Sequence, residues 1–483
     1  MKRFHKLSEI QQEIATGSLS CKELVDVYLG RIEAQKSLNI FVEVFEEEAR
    51  RKAIAIDQKI AEGNAGRLAG LVLGIKDVLC YKGHTLTASS RILEDFESLF
   101  TATAVQKLLD EDAIIIGRQS CDEFAMGSSN ENSCYGPVRN PWSPDSVPGG
   151  SSGASAAAVA AGLCHASLGS DTGGSVRQPA GLCGVVGAKP TYGRVSRWGL
   201  IAYASSFDQI GPITNSVEDA ALILEIMAGN DPQDNTSSSK EVPAYAAQSM
   251  QSTDKKYKIG YLKQALESDG LDPEIKKRKL ELIASWEKEG HELIEIEFPL
   301  LEYLVPCYYI LTTAEASSNL SRYDGIRYGH RSQDSEKLED LYRKSRSEGF
   351  GEEVQRRILL GTFVLSAGYY DAYYTQAMKV RRLIREKTEE IFTQCDFLFS
   401  PTSPSTAFKI GEKIDDPIEM FLADIFTVHA NLAGMPAISL PLGIHSNKKP
   451  FGLQLMANSF KEAELLQFAN ACMAQHAAPS LQL

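Results

Sequence analysis

The chain reads as an α/β fold, one sheet covered by helices on both faces. Two observations predict it. Short apolar and β-branched runs alternate with longer stretches of helical periodicity, and no apolar run approaches membrane-spanning length. Ser20-Cys21-Lys22-Glu23 fits a capping box, opening a helix with Leu24, Val27, Tyr28 and Ile32 on one face. Leu71 to Ile75 is a buried strand that delivers Lys76 at its end, Thr103 to Asp110 a helix, and Ala113 to Ile116 a second strand. Three prolines and two glycines make Asn140 to Gly150 a loop. Residues 231–256, rich in Ser, Asp, Gln and Thr, read as a flexible surface excursion. Ile259 to Leu262 is a strand, Asp272 to Glu289 a helix and Leu293 to Glu297 a strand. Residues 306–393 are mainly helical. Phe397 to Phe399, Ala437 to Leu440 and Gly452 to Met456 are late strands, and Lys461 to Met473 is a closing helix.

Composition narrows the function. At 43% hydrophobic and 23% charged residues, the 483-residue chain has the balance of a soluble globular protein. A net charge of −13 argues against this chain alone gripping a polyanion, because phosphate contacts need clustered Lys and Arg. The run Lys276-Lys277-Arg278-Lys279 points all round a helix and reads as a solvated face. Nine scattered cysteines without a CxxC read as reduced thiols. The amino terminus has no apolar core of signal-peptide length, so a cytoplasmic location is expected.

The stretch from Pro148 to Lys189 organises the rest. It holds two Gly-Gly-Ser turns, ending in Ser151 and Ser175, with an Ala-rich run between them and Asp171 just ahead of the second. Glycine pairs let the backbone approach a ligand closely, so a following serine is presented rather than packed. The small residues from Ser152 to Gly162 predict a tightly buried helix.

A serine hydroxyl needs a base. His165 lies beside the Ala-rich run and reads as a packed core histidine. Lys76 is the better candidate, since lysine is seldom buried without a reason, although snorkelling to solvent or pairing with Asp77 would also explain it. As a base it must be neutral. A reference pKa near 10.4 leaves about one molecule in a few thousand neutral at pH 7, so burial must lower it by about three units.

The motifs GGSSGAS and GSDTGGSVRQPA, with a lysine 75 positions ahead of the first serine, resemble the amidase signature family of Ser–Ser–Lys hydrolases. The segments EFAMGSSNENSCYGPVRNPW, EASSNLSRYDGIRYG, SEGFGEEVQRRILLGTFVLSAGYYDAYY and NLAGMPAISLPLG narrow the resemblance to the A subunits of glutamyl-tRNA(Gln)/aspartyl-tRNA(Asn) amidotransferases. It implies one amidase signature domain over 1–483, with a central mixed, twisted sheet, a catalytic core at about 65–215 and a substrate-side helical region at about 306–393. It further implies Ser175 as acyl-forming nucleophile, Ser151 as bridging serine held by a cis peptide, and Lys76 as base. The N–H groups of Thr172, Gly173, Gly174 and Ser175 would face the oxyanion.

The substrate implied is glutamine (or asparagine), with Arg357 for its carboxylate, Asp424 for its ammonium, and Tyr308 and Ser128 as further contacts; Ser129 is a weaker candidate. Without the resemblance, Arg357 would read as a helix-surface cation pairing with Glu353 at i−4. No metal and no cofactor are expected in this chain. A partner B subunit would use ATP and Mg²⁺ on the tRNA, and a small C subunit would complete a heterotrimer; no P-loop occurs here. The family's turn carries glycine where Ala154 stands, a position at the presumed helix start where a methyl fits. Gly149-Gly150-Ser151-Ser152-Gly153 also matches the α/β-hydrolase elbow, but the proline-rich segment before it cannot be the required strand. A stand-alone amidase acting on small carboxamides is the nearer alternative.

Overall fold

Eleven strands form one mixed sheet in the computed structural model, which describes residues 4–268, 270–335, 337–412 and 424–481. In chain order they are β1 (Phe41–Val44), β2 (Val72–Lys76), β3 (Ile114–Gln119), β4 (Ala166–Asp171), β5 (Val186–Lys189), β6 (Gln209–Thr214), β7 (Lys258–Leu262), β8 (Glu292–Ile296), β9 (Phe397–Pro401), β10 (Ala437–Ile444) and β11 (Pro450–Ala457). Across the sheet they run β1-β3-β2-β4-β6-β5-β10-β11-β9-β7-β8. Neighbours β3, β2 and β4 are parallel, as are β9, β7 and β8, and the other pairs are antiparallel. Every residue of β4 and β6 is buried, so both faces of the sheet are covered there. Buried apolar side chains from Phe4 to Cys472 form one continuous cluster.

The parallel pair β2 and β4 positions the site. Ile75 stands opposite Leu168, so Lys76 and the turn after Asp171 leave the sheet at the same edge, the carboxyl ends of parallel strands where α/β proteins place ligands. The Ala-rich segment forms helix Gly153–Ala160, buried on every side and packed on β2, β4 and β6. Its small side chains allow that approach. No strand precedes Ser151, which removes the elbow reading. His165 sits at the opposite end of β4, paired with Asp219 at 2.9 Å, and is a core residue.

Ser20 caps helix Cys21–Ala34 reciprocally with Glu23, although Val25 and Leu29 are buried where Val27 is only half-buried. The polar run 231–256 lies at the surface yet is held at several points. Asp231 accepts from Thr103 and Ser196, the backbone of Lys240 and Glu241 accepts from Arg194, and Tyr245 is fully buried.

The basic run departs from its expected solvation. Lys277 is exposed, but Lys279 turns into the core over the rings of Tyr261 and Phe399, with no hydrogen-bond partner among the described residues. Burial drops its pKa to about 7. A folded-state pKa below the unfolded value means stability is lost as pH falls from the unfolded pKa toward the folded one. Lys279→Met, close in volume, is therefore expected to raise the midpoint of thermal unfolding at pH 7 by about 2 °C or more, with the gain shrinking as pH approaches 10. An unchanged or lower midpoint would contradict the burial of an unpaired amine.

Candidate active site

Lys76 is wholly buried at the end of β2, and its Nζ reaches three hydroxyls: Ser151 at 2.7 Å, Ser170 at 2.9 Å and Ser152 at 3.0 Å. Ser152 in turn donates to the Ser170 carbonyl at 3.1 Å, so its proton is spent there. Burial lowers the lysine pKa to about 8 against the pull of nearby acidic groups that include Asp122, Asp171 and Asp208. Asp77 does not pair with Lys76; it faces Arg118 at 3.2 Å and the Thr87 and Ser89 amides. The lysine is thus surrounded by neutral hydroxyls, an environment in which the free amine is accessible near neutral pH.

Ser151 follows a cis Gly150–Ser151 peptide. Gln178 holds this turn by accepting from the Gly150 N–H at 3.0 Å and donating to the Ser128 carbonyl at 2.9 Å. Ala154 is fully buried and its N–H donates to Asn130 Oδ1 at 2.8 Å, so the methyl is accommodated.

Ser175 lies between β4 and helix Arg177–Cys183, 8% exposed while Ser151 and Lys76 are at 0%. Its carbonyl accepts from the Ser152 N–H at 3.1 Å, which ties the two serine turns together. Among the described residues no hydrogen bond joins the Ser175 and Ser151 hydroxyls. Asp171 builds the turn. Its carboxylate accepts from the Gly174 and Val176 N–H groups and from the Arg177 guanidinium at 3.0 Å. Burial would raise its pKa, but the Arg177 charge and hydrogen bonds outweigh burial and hold it at about 2. The Gly174 N–H is therefore committed to Asp171, which removes it from the four expected oxyanion donors and leaves Thr172, Gly173 and Ser175 as candidates. Gly174 needs its φ of +129°, and a Cβ on Gly173 would stand 2.5 Å from the Tyr308 ring.

The charged candidates gather over this turn. Tyr308 lies on Gly173, and Thr427, in the same turn of chain as Asp424, donates to the Gly173 carbonyl at 2.6 Å. Asp424 is buried and accepts from Ser128 at 2.5 Å; burial raises its pKa to about 7, with Ser128 and Arg357 pulling the other way. Arg357 does make the i−4 pair with Glu353, at 2.7 Å, but it is only 4% exposed and not a surface cation. Its other arm donates to the Tyr203 hydroxyl at 2.7 Å, and Tyr203 and Tyr309 flank the guanidinium. A cation and an acid, both buried, thus flank one aromatic wall beside the Ser175 turn. Ser129 is buried behind Gly150.

Sequence reasoning missed Ser170, Tyr203 and Asp208. Ser170 stands inside the second motif but faces a lysine 94 residues earlier, and Tyr203 and Asp208, close to each other in the chain, belong to no motif and reach Arg357 and Thr172 across the fold. Ser152 stood inside the first turn but offered no sign that it faces Lys76.

Residues 23–466 match the amidase family model. The glutamyl-tRNA(Gln) amidotransferase A subunit of Chlorobium phaeobacteroides is 50% identical over 467 residues, covering 96% of this chain and 98% of that protein. The crystal structure of the glutamyl-tRNA(Gln) amidotransferase A subunit from Thermotoga maritima superposes with a TM-score of 0.79 at 42% identity, over 94% of this chain and 92% of that one. A structure of a vestigial protein complex linked to the origins of an s-triazine catabolic enzyme superposes at 0.87 with 31% identity, over 99% of this chain and 100% of that one. The chain belongs to the amidase family, in the branch of the glutamyl-tRNA(Gln) amidotransferase A subunits.

Proposed function

We propose that this chain is the glutaminase subunit of a tRNA-dependent amidotransferase. The buried opposition of Arg357 and Asp424 beside the Ser175 turn carries the reading. A small-carboxamide amidase needs no such pair, whereas glutamine presents a carboxylate, an ammonium and a carboxamide on one short chain. The planar guanidinium suits the carboxylate, and an arriving ammonium would restore the ionised form of Asp424.

In this reading Ser175 attacks the carboxamide carbon, its proton passing through Ser151 to Lys76. The relay closes when the Ser175 hydroxyl turns toward Ser151 in the substrate complex. The oxyanion would rest on N–H groups of Thr172, Gly173 and Ser175. Collapse of the tetrahedral species returns a proton to the leaving ammonia and leaves a γ-glutamyl ester on Ser175. Water then releases glutamate by the same route. Ammonia is protonated in bulk water and lost as a nucleophile, so it would pass directly to the partner B and C subunits. There the B subunit, using ATP and Mg²⁺, would convert Glu-tRNA(Gln) or Asp-tRNA(Asn) to the amidated form. No cofactor is assigned to this chain itself. A cytoplasmic setting fits this role and the nine free cysteines; among the described residues no helix is long and apolar enough to cross a membrane.

Arg357→Ala tests the reading. Loss of a charge-assisted contact is expected to raise the KM for glutamine about 10- to 100-fold with little change in kcat, measured as ammonia release. Lost activity that excess glutamine does not restore would contradict that role.

A further inference from the structure

Asp208 is a buried carboxylate that bonds neither to Lys76 nor to either serine of the relay. It precedes β6, is 2% exposed and forms no ion pair among the described residues. Its oxygens accept from Thr172 Oγ1 at 2.6 Å, the Tyr203 N–H at 3.0 Å, and the Ala204 N–H at 3.1 and 3.2 Å. Keeping a carboxylate among neutral donors is costly unless those donors must be held. The donors belong to two different halves of the site. Thr172 opens the turn that carries Ser175, and Tyr203 is the residue whose hydroxyl accepts from Arg357 at 2.7 Å. One carboxylate therefore spans the distance between the reacting end and the carboxylate-binding end of the pocket.

We propose that Asp208 is a positioning residue that fixes the spacing between the Ser175 turn and Arg357, so that a substrate of glutamine's length is held with its carboxamide at the nucleophile. The inference rests on the amino-acid reading of the pocket. A covalent substrate has a fixed length, and misplacement by about 1 Å can cost about a hundredfold in rate, so a rigid tie between the two ends serves selectivity directly. A carboxyl suits this place even with its pKa raised to about 7 by burial, because its oxygens accept from the two backbone N–H donors, which cannot reverse their role, while the Thr172 hydroxyl can either donate or accept.

The test compares glutamine with butyramide, which has the carboxamide chain but neither the α-carboxylate nor the ammonium. Asp208→Ala is expected to raise the KM for glutamine about tenfold or more and to lower kcat/KM for both substrates. Thr172→Val should lower turnover of both substrates, and Tyr203→Phe should raise the KM for glutamine alone. In the Asp208→Ala background the KM effect of Tyr203→Phe should shrink, because the tie is already cut. A merely structural role would reduce the active fraction, lowering kcat alike on both substrates with KM unchanged, and that result would overturn the proposal. So would additive effects of Asp208→Ala and Tyr203→Phe on KM. Should Asp208→Ala fail to fold, Asp208→Asn keeps acceptance from the backbone pair and reverses the Thr172 bond. With both ends still bonded it should keep the KM for glutamine near the wild-type value, and a KM raised about tenfold would count against the tie. Wild-type turnover of butyramide without preference for glutamine would instead overturn the amino-acid reading itself, a result separable from either outcome at Asp208.

Discussion

Ser175→Ala is expected to reduce ammonia release from glutamine by about 10⁴-fold or more while leaving the fold intact. The change removes one oxygen from a side chain whose hydroxyl has no hydrogen-bond partner among the described residues, at a position 8% exposed. The turn's geometry is held by the Asp171 carboxylate and Arg177 and does not depend on that hydroxyl. The thermal midpoint should therefore stay within about 2 °C of wild type. Mass spectrometry of the wild-type protein quenched during turnover should show the γ-glutamyl adduct on the peptide containing Ser175, and the variant should show none. Substantial residual activity, or an adduct on Ser151, would exchange the roles of the two serines.

Lys76→Ala should lose nearly as much, about 10³- to 10⁴-fold, because no other base lies against Ser151 among the described residues. The pH dependence carries a definite sign. The lysine works as the free amine, and burial lowers its pKa to about 8. Wild-type kcat/KM should rise about tenfold per unit as pH increases toward 8 and level off above it. Lys76→Arg retains a cation that cannot give up its proton, and should be inactive across the whole range. A flat profile between pH 6 and 9, or an active Arg variant, would remove Lys76 from the relay.

Much of this site was legible before the fold was known, and the reasons are physical. Strands β2 and β3 are apolar, β-branched runs, and β7 and β8 are short apolar segments edged by charged residues; each was readable as a strand. β4 (ASLGSD), β5 (VGAK) and β6 (QIGPIT) were not. They are buried on both faces, so no polar alternation marks them, and they are rich in small residues because neighbouring elements approach closely. A Cβ on Gly169 of β4 would stand 2.7 Å from the Ser152 hydroxyl, and Pro212 in the middle of β6 argues locally against a central strand. β1 is a four-residue edge strand with little pattern to read.

Lys76, Ser151 and Ser175 were visible because glycine turns and a strand-end lysine are unusual in themselves. Arg357 and Asp424 look like ordinary surface charges in isolation, and only the resemblance singled them out. The commitment of the Gly174 N–H to Asp171 is a local i, i+3 contact that the resemblance to an oxyanion turn overrode, whereas the inward turn of Lys279 depends on contacts between residues that no spacing rule connects. The same holds for Asp208, whose partners Thr172 and Tyr203 lie on either side of β5.

The central claim is that this pocket recognises an amino acid. The direct measurement is steady-state ammonia release from glutamine and from a simple aromatic carboxamide, by the chain alone and with its co-expressed partners. The account predicts saturable release from glutamine that rises with the partners, and little from the aromatic amide. Efficient turnover of the aromatic amide without release from glutamine would make the protein a stand-alone amidase, and the roles given to Arg357 and Asp424 would fall with it.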